Sequence, residues 1–178
     1  MLARAARSIL LLLGLMALGL SAACQVQQTA TTTTTAAPTL PPNLRQSLYP
    51  KWIDAQAQIK WPPNNGCAAA PVSETLAVGT LIDRFGSEGG TFFSPKGESF
   101  DARAVPYVCS KMVYTVYRVD KPLHVMDCKA AAWFDEPGGA TQFQTDDPAF
   151  KLRESSAIEA VPGDSAGNAN AAPLCKGP

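Results

Sequence analysis

The sequence lacks an excess of charge of either sign, and it contains a single histidine. Its 178 residues include 15 lysines and arginines against 15 aspartates and glutamates, and the histidine is His124. Nothing in this balance suggests nucleic-acid binding or a polybasic contact with a membrane. No cysteine or acidic partner is patterned around His124, so we do not assign it as a general acid or base.

Two further absences narrow the chemistry. The chain has no Asn-x-Ser/Thr acceptor, so N-glycosylation is not implied. Asp164 is the only acidic residue in the tail over residues 162–178, which leaves too few oxygen ligands to propose a calcium site. We therefore predict no metal requirement.

The N-terminus reads as an export signal over residues 1–23. Arg4 and Arg7 precede an apolar run over residues 9–20, and Ser21-Ala22-Ala23 resembles a cleavage site. Cleavage there makes Cys24 the first mature residue, in a context similar to a bacterial lipoprotein signal. The sequence leaves two outcomes open, a lipid anchor at Cys24 or a plainly secreted protein. Both predict an extracellular location.

The remaining chain divides into three parts. Residues 24–43 are rich in Thr, Ala and Pro and predict a disordered tether. Residues 44–162 are long enough for one modest domain with its own core. Residues 163–178 form a tail that we expect Cys175 to pin to this domain.

Without Cys24 the mature protein holds four cysteines. An even number in an exported chain predicts two disulfides, with three connectivities open. We favour one bond that brackets a strand and its return, and a second that ties the ends of the domain. The predicted pairs are therefore Cys109 with Cys128 and Cys67 with Cys175.

Hydrophobic periodicity predicts a small α+β domain that is mostly β. Apolar runs over residues 81–85 and 91–94 flank a Gly-rich break, which indicates a β-hairpin. Residues 112–119 alternate in the manner of a strand. Leu48, Trp52, Ala55 and Ile59 recur at near-helical spacing, which predicts a short N-terminal helix from about Lys51.

Two arginines follow from this layout as candidate anion ligands. Arg84 lies on the first hairpin strand beside the Gly-rich loop, and Arg103 follows the turn at Gly97. Two guanidinium groups in one cleft would suit a diphosphate, because each binds phosphate oxygens in bidentate fashion. The alternative is that both are surface arginines paired with Asp83 and Asp101.

Several blocks, in order, carry a family resemblance. They are WPPNNG from Trp61, LIDRFGSEGGTFFSPKGESFDARAVP from Leu81, YTVYRV from Tyr114, KPL from Lys121, AWF from Ala132 and PGGATQF from Pro137. Together these blocks resemble the tuberculosis necrotizing toxin (TNT) family, a set of secreted NAD glycohydrolases. The likeness covers about a hundred residues.

The resemblance implies site residues. Gln142 matches the glutamine regarded as essential in the family; its amide can donate and accept at once, and so hold a water or the ribose. Phe92 stands where an aromatic residue accompanies the active site, and Phe85 joins the expected substrate contacts. Thr115 is also placed there, although family members often carry a histidine at this position. WPPNNG is interpreted as a structural loop, because turn residues usually serve the turn.

The resemblance thus implies cleavage of NAD, and of NADP as well, to nicotinamide and ADP-ribose, with no cofactor besides the dinucleotide substrate. Arg84 and Gln142 are the expected catalytic residues, with Arg103 on the diphosphate. An immunity protein is left open as a partner. Two alternatives remain: ADP-ribosyl transfer, whose Glu-x-Glu pattern is absent, and a catalytically silent extracellular module that binds nucleotides.

Overall fold

The structure, a computed structural model, describes residues 38–162 and 171–175. The predicted signal peptide, Cys24, most of the predicted tether and residues 163–170 lie outside the described residues. Within the described ranges, no helix combines the length and the apolar character that a membrane crossing requires.

A seven-stranded sheet forms the body of the domain. The strands follow the order β1-β5-β6-β3-β2-β4-β7, and every neighbouring pair is antiparallel. Apart from Ala171, the α-helical residues of the described ranges form one short helix before the last strand, so the mostly-β α+β class is confirmed. The elements are β1 (Val72–Leu76), β2 (Leu81–Phe85), β3 (Phe92–Pro95), β4 (Tyr114–Val119), β5 (Leu123–Lys129), β6 (Thr141–Gln144), α1 (Ala149–Glu154) and β7 (Ile158–Ala160).

The predicted hairpin and the predicted alternating strand are both confirmed. β2 pairs with β3 across the Gly-rich turn and with β4 on its other side. Along β4, Tyr117 joins one buried cluster with Ile82 and Phe93, whereas Tyr114 and Val116 join a second cluster. Both faces of the central sheet are therefore covered, and each fully buried large apolar side chain contributes about 1.5–3 kcal/mol.

The predicted N-terminal helix is wrong. A 3₁₀ turn occupies Gln46–Leu48, and farther along the chain Ile53 forms an isolated β-bridge with Ile59. Tyr49 is extended, with φ −78° and ψ 140°, because the residue before a proline is driven out of the α region.

A second local effect also opposes that helix. The Asp54 carboxylate accepts hydrogen bonds from the backbone N–H groups of Gln56 and Gln58, at 2.9 and 2.8 Å. Such side-chain bonds offer the backbone an alternative to helical ones. Leu48 and Ile53 are buried all the same, in a third cluster, so the apolar spacing belongs to a loop that packs on the domain.

The domain contains two disulfides, as predicted, but their predicted pairing is wrong. The bonds are Cys67–Cys128 and Cys109–Cys175. Cys67 forms a β-bridge with Ala130, just beyond the end of β5 that carries Cys128.

The second bond follows from a contact of the C-terminal segment. The N–H of Phe100 donates a 3.0 Å hydrogen bond to the carbonyl of Leu174, and Leu174 precedes Cys175. That contact is non-local, and no local sequence signal announces it.

Candidate active site

Two adjoining cavities open where β2, β3 and β6 meet two loops. The large lobe has a volume of about 330 Å³ and the small lobe about 90 Å³. Four residues line both lobes: Phe92, Arg103, Val105 and Gln142. The two lobes therefore form one continuous cleft. The large lobe alone falls within the size range of small-molecule sites.

Arg84 enters the small lobe as a buried cation. The residue is 7% exposed, and its Nη1 donates a 3.3 Å hydrogen bond to the carbonyl of Phe92. No carboxylate of the described residues forms an ion pair with it. Burial lowers the pKa of the Arg84 guanidinium, and nearby Tyr117 and Glu88 oppose that shift. An arginine still stays charged near neutral pH, so this group presents to the small lobe a positive charge that is not ion-paired to any carboxylate of the described residues.

The position of Arg84 depends on Gly90. A Cβ atom added to Gly90 would lie 2.0 Å from Nη2 and 2.6 Å from Nη1 of Arg84. Real Cβ atoms do not approach other atoms so closely, so the guanidinium occupies space that only glycine leaves free. The Gly-rich loop thus shapes the site by omitting a side chain.

Arg103 lines both lobes, but its charge is neutralised. Its Nη2 lies 2.6 Å from Oδ1 of Asp83 and donates a 2.9 Å hydrogen bond to the carbonyl of Glu98. Its Cζ lies 5.0 Å from the ring centroid of Phe85, within cation–π range. Of the two alternatives that the sequence left open, the pairing of Arg103 with Asp83 is present, yet it is buried and it lines the cleft.

Asp83 is fully buried at the centre of this arrangement. Its side chain accepts hydrogen bonds from the Gly97 N–H at 2.9 Å and the Tyr114 hydroxyl at 2.8 Å. Burial raises the pKa of Asp83, while Arg103 and these two donors act in the opposite direction. A buried carboxylate with this many partners fixes Arg103 in place.

The aromatic residues of the cleft differ in burial. Phe92 is 42% exposed and lines both lobes, whereas neighbouring Phe93 is 2% exposed, belongs to the core and reaches only the small lobe, where Cζ of Arg84 lies 5.5 Å from its ring centroid. Successive strand residues point to opposite faces, which accounts for the difference. Phe85 lines the small lobe, packed edge-on against Phe100 with ring centroids 4.8 Å apart.

Gln142 lies on β6 and lines both lobes. Its Nε2 donates a 2.9 Å hydrogen bond to the backbone carbonyl of Asn65 and lies 3.8 Å from the sulfur atoms of Cys67 and Cys128. Its Oε1 accepts no hydrogen bond from the described residues. The amide is thus held at its nitrogen, with the oxygen left to accept a bond from a ligand.

The WPPNNG segment contributes more than a structural loop. Trp61, Pro62, Asn65 and Gly66 line the large lobe, and Trp61 is 54% exposed. Sequence reasoning assigned these residues to a turn, so it missed their place in the cleft. The available signal was that WPPNNG is itself one of the blocks that carry the family resemblance.

Thr115 does not line either lobe. It sits on β4 as the cross-strand partner of Arg84, so its role in substrate binding stays a prediction.

His124 is exposed on β5, where its Nε2 lies 3.0 Å from the Ser73 hydroxyl, and it lines neither lobe. The structure brings Arg84, Phe85, Phe92, Arg103 and Gln142 to one cleft.

Comparison with known proteins relates this cleft to a family. Residues 75–161 match the family model described as tuberculosis necrotizing toxin. Residues 75–161 form a TNT-family domain. The matched residues include the whole sheet apart from the first three residues of β1, and they carry all five of the site residues that the cleft brings together.

A named relative and a solved structure are similar to the TNT domain. The conidial surface nicotinamide adenine dinucleotide glycohydrolase of Aspergillus fumigatus is 39% identical over 98 residues, covering 48% of this chain and 42% of that protein. The structure of tuberculosis necrotizing toxin complexed with its immunity factor has a TM-score of 0.50 at 19% identity, covering 60% of this chain and 65% of that one. The chain therefore spans less than two thirds of each, and the structural match shows the fold alone.

Proposed function

We propose that this protein is an NAD glycohydrolase. It hydrolyses the bond between nicotinamide and ribose, so that NAD⁺ and water give nicotinamide, ADP-ribose and a proton; NADP⁺ is a second substrate. The TNT-family match and the named activity of the Aspergillus relative support this proposal. The structural observation that supports it most directly is that Arg84, Phe92 and Gln142 line one cleft.

In this proposal Arg84 is the principal diphosphate ligand. Its charge has no carboxylate partner among the described residues, whereas the charge of Arg103 is taken up by Asp83. A desolvated guanidinium binds phosphate oxygens strongly and in bidentate fashion. Arg103 then adds hydrogen-bond donors and shape to the same lobe rather than net charge.

Gln142 orients the reacting groups. Nicotinamide on NAD⁺ is already a cationic leaving group, so its departure needs little acid catalysis and leaves an oxocarbenium-like ribose. With Nε2 fixed on the Asn65 carbonyl, Oε1 accepts a hydrogen bond from the attacking water or a ribose hydroxyl. Fixed orientation of this kind lowers the entropic part of the barrier. Phe92, half exposed beside Gln142, offers its ring to nicotinamide, with stacking of about 1 kcal/mol.

The proposed setting is outside the producing cell. The signal-like N-terminus supports secretion, and the name of the relative, a conidial surface enzyme, supports a surface location. Lipidation of Cys24 and an immunity partner belong to the same proposal, the latter because the structurally similar toxin was solved with its immunity factor. The dinucleotide acts as substrate, and no further cofactor is proposed.

The test is nicotinamide release by the purified protein. With an etheno-NAD analogue the proposal expects a fluorescence rise, and chromatography should give nicotinamide and ADP-ribose in equal amounts. Arg84→Ala and Gln142→Ala should each abolish most of this signal while circular dichroism stays unchanged. Incubation with labelled NAD and mixed proteins should leave the label on free ADP-ribose. Label on protein would indicate transfer instead, and NAD binding without nicotinamide release would indicate a silent module.

A further inference from the structure

We propose that the Cys67–Cys128 disulfide is a positioning element for Gln142 and restricts the activity to the oxidised protein. This inference rests on the proposed glycohydrolase function. It adds to that function a dependence on one of the two disulfides, while the other provides a matched control within the same chain.

The disulfide and Gln142 are directly adjacent. Cys128 on β5 is the cross-strand partner of Gln142 on β6, and Nε2 of Gln142 lies 3.8 Å from each sulfur of the bond. Cys67 and Cys128 are 6% and 8% exposed. The carboxamide therefore rests on the disulfide on one side and faces the cleft on the other.

The disulfide also anchors the carbonyl that orients the carboxamide. Nε2 of Gln142 donates to the carbonyl of Asn65, two residues before Cys67. Asn64, Asn65 and Gly66 all have left-handed φ values, of 53°, 52° and 86°. Asparagine and glycine enter this region more readily than other residues, so the turn itself is locally favoured. The covalent bond at Cys67 fixes where this turn lies relative to β5.

Backbone hydrogen bonds alone give this turn a weaker attachment. The Ala131 N–H donates to the Gly66 carbonyl at 2.7 Å, and the Ala68 N–H donates to the Lys129 carbonyl at 2.8 Å. Both keep the segment near β5. The Asn65–Gly66 peptide is held by the Gly66 N–H, which donates to the Pro63 carbonyl at 3.0 Å within the turn, and the Asn65 side chain donates a 3.2 Å hydrogen bond to Gln144 on β6. These bonds preserve the shape of the turn, whereas the disulfide fixes its distance from β5. Without the disulfide, the turn can shift as a unit relative to Gln142 while the sheet remains intact.

Reduction of the Cys67–Cys128 disulfide would free the turn in the same way. A dithiol such as dithiothreitol delivers two electrons and two protons to the sulfur atoms, which become two thiols, and is itself oxidised to a cyclic disulfide. The other bond, Cys109–Cys175, ties the segment of Cys109 to the C-terminal segment, and neither of its cysteines lines the cleft. Its loss should affect stability but not the orientation of Gln142.

The experiment compares two variants, each lacking one disulfide, under conditions where both are folded. Cys67→Ala/Cys128→Ala and Cys109→Ala/Cys175→Ala are assayed for nicotinamide release at a temperature where near-UV circular dichroism shows both folded. The first variant should lose at least about tenfold in kcat, as expected for a misplaced catalytic group, with KM changed less than threefold. The second should keep kcat within twofold. Gln142→Ala should add little further loss to the first variant and its full loss to the second, because residues that act as a unit are not additive.

Two results would overturn the inference. One is a folded Cys67→Ala/Cys128→Ala variant with wild-type kcat, and the other is full additivity with Gln142→Ala. If that variant does not fold, the wild-type protein is titrated with dithiothreitol, and the exposed thiols are mapped by alkylation. Activity should then fall as Cys67 and Cys128 become alkylated, before the circular dichroism changes; loss only on global unfolding would refute the inference. Absence of nicotinamide release by the oxidised wild-type protein would instead refute the proposed function.

Discussion

Gly90→Ala tests whether the empty space at Gly90 holds Arg84 in the cleft. The added Cβ would lie 2.0 Å from Nη2 and 2.7 Å from Cζ of Arg84, so the guanidinium must move. Gly90 is not among the glycines with positive φ, so alanine fits the backbone and the side-chain clash is the main perturbation.

The expected loss follows from the bonds that Arg84 would no longer make. A hydrogen bond to a charged group contributes about 1.5–3 kcal/mol, which corresponds to about a 10- to 150-fold decrease in kcat/KM. Folding should change less. Reduced chain entropy in the unfolded state favours alanine by about 0.4–1 kcal/mol, and this partly offsets an overpacking cost of about 1–3 kcal/mol.

The control is the neighbouring glycine. A Cβ at Gly89 would lie 3.7 Å from the Ser87 hydroxyl, an ordinary contact, and Gly89 too is absent from the positive-φ glycines. Gly89→Ala should therefore keep kcat/KM within about twofold in the etheno-NAD assay. If Gly90→Ala acts through Arg84, it should add almost nothing in an Arg84→Ala background. Wild-type kcat/KM for Gly90→Ala, or full additivity with Arg84→Ala, would refute this reasoning.

The remaining predictions concern single groups. Gln142→Ala should lower kcat at least tenfold with an unchanged urea midpoint, whereas an unchanged kcat would remove its role. Asp83→Asn should lower the free energy of unfolding by about 3–5 kcal/mol, because it leaves the buried charge of Arg103 without its partner; urea titration measures this, and a loss below 1 kcal/mol would contradict it. Phe92→Ala should raise KM by about fivefold, from about 1 kcal/mol of lost stacking, with little change in stability. Phe93→Ala should instead cost about 3–5 kcal/mol in folding, and equal stability losses would contradict their separate places. Exhaustive EDTA treatment should leave activity unchanged, because the roles proposed for Arg84, Phe92 and Gln142 use no metal; loss that calcium restores would count against this.

Local patterns predicted the parts of the fold that are local. The hairpin of β2 and β3 and the alternation along β4 depend on residues adjacent in sequence, and periodicity reports such elements directly. The predicted helix failed for a related reason. Its apolar spacing was real, but Pro50 and Asp54 carried stronger local signals against helix formation, and those signals should have outweighed the spacing.

The disulfide pairing could not be predicted in the same way. The partners lie 61 and 66 residues apart, and their proximity depends on the contacts of Cys67 with the end of β5 and of Phe100 with Leu174. Sequence spacing does not encode such contacts, and four cysteines permit three pairings. The same limit hid the second role of Asn65. A positive φ is common for asparagine in a turn, but the contact of Asn65 with Gln142 spans 77 residues.

Arg84 and Arg103 show how much of a site lies beyond residue type. The sequence presents both as guanidinium groups suited to one diphosphate, but the structure separates their electrostatic states. Arg103 is bonded to a fully buried carboxylate, so the pair brings no net charge to the cleft. Arg84 is buried without such a partner, and burial strengthens its attraction for an anion because less water screens the charge. Under the proposed function, attraction of a diphosphate to the cleft therefore depends mainly on Arg84, whereas substitution of Arg103 is expected first to destabilise the core around Asp83.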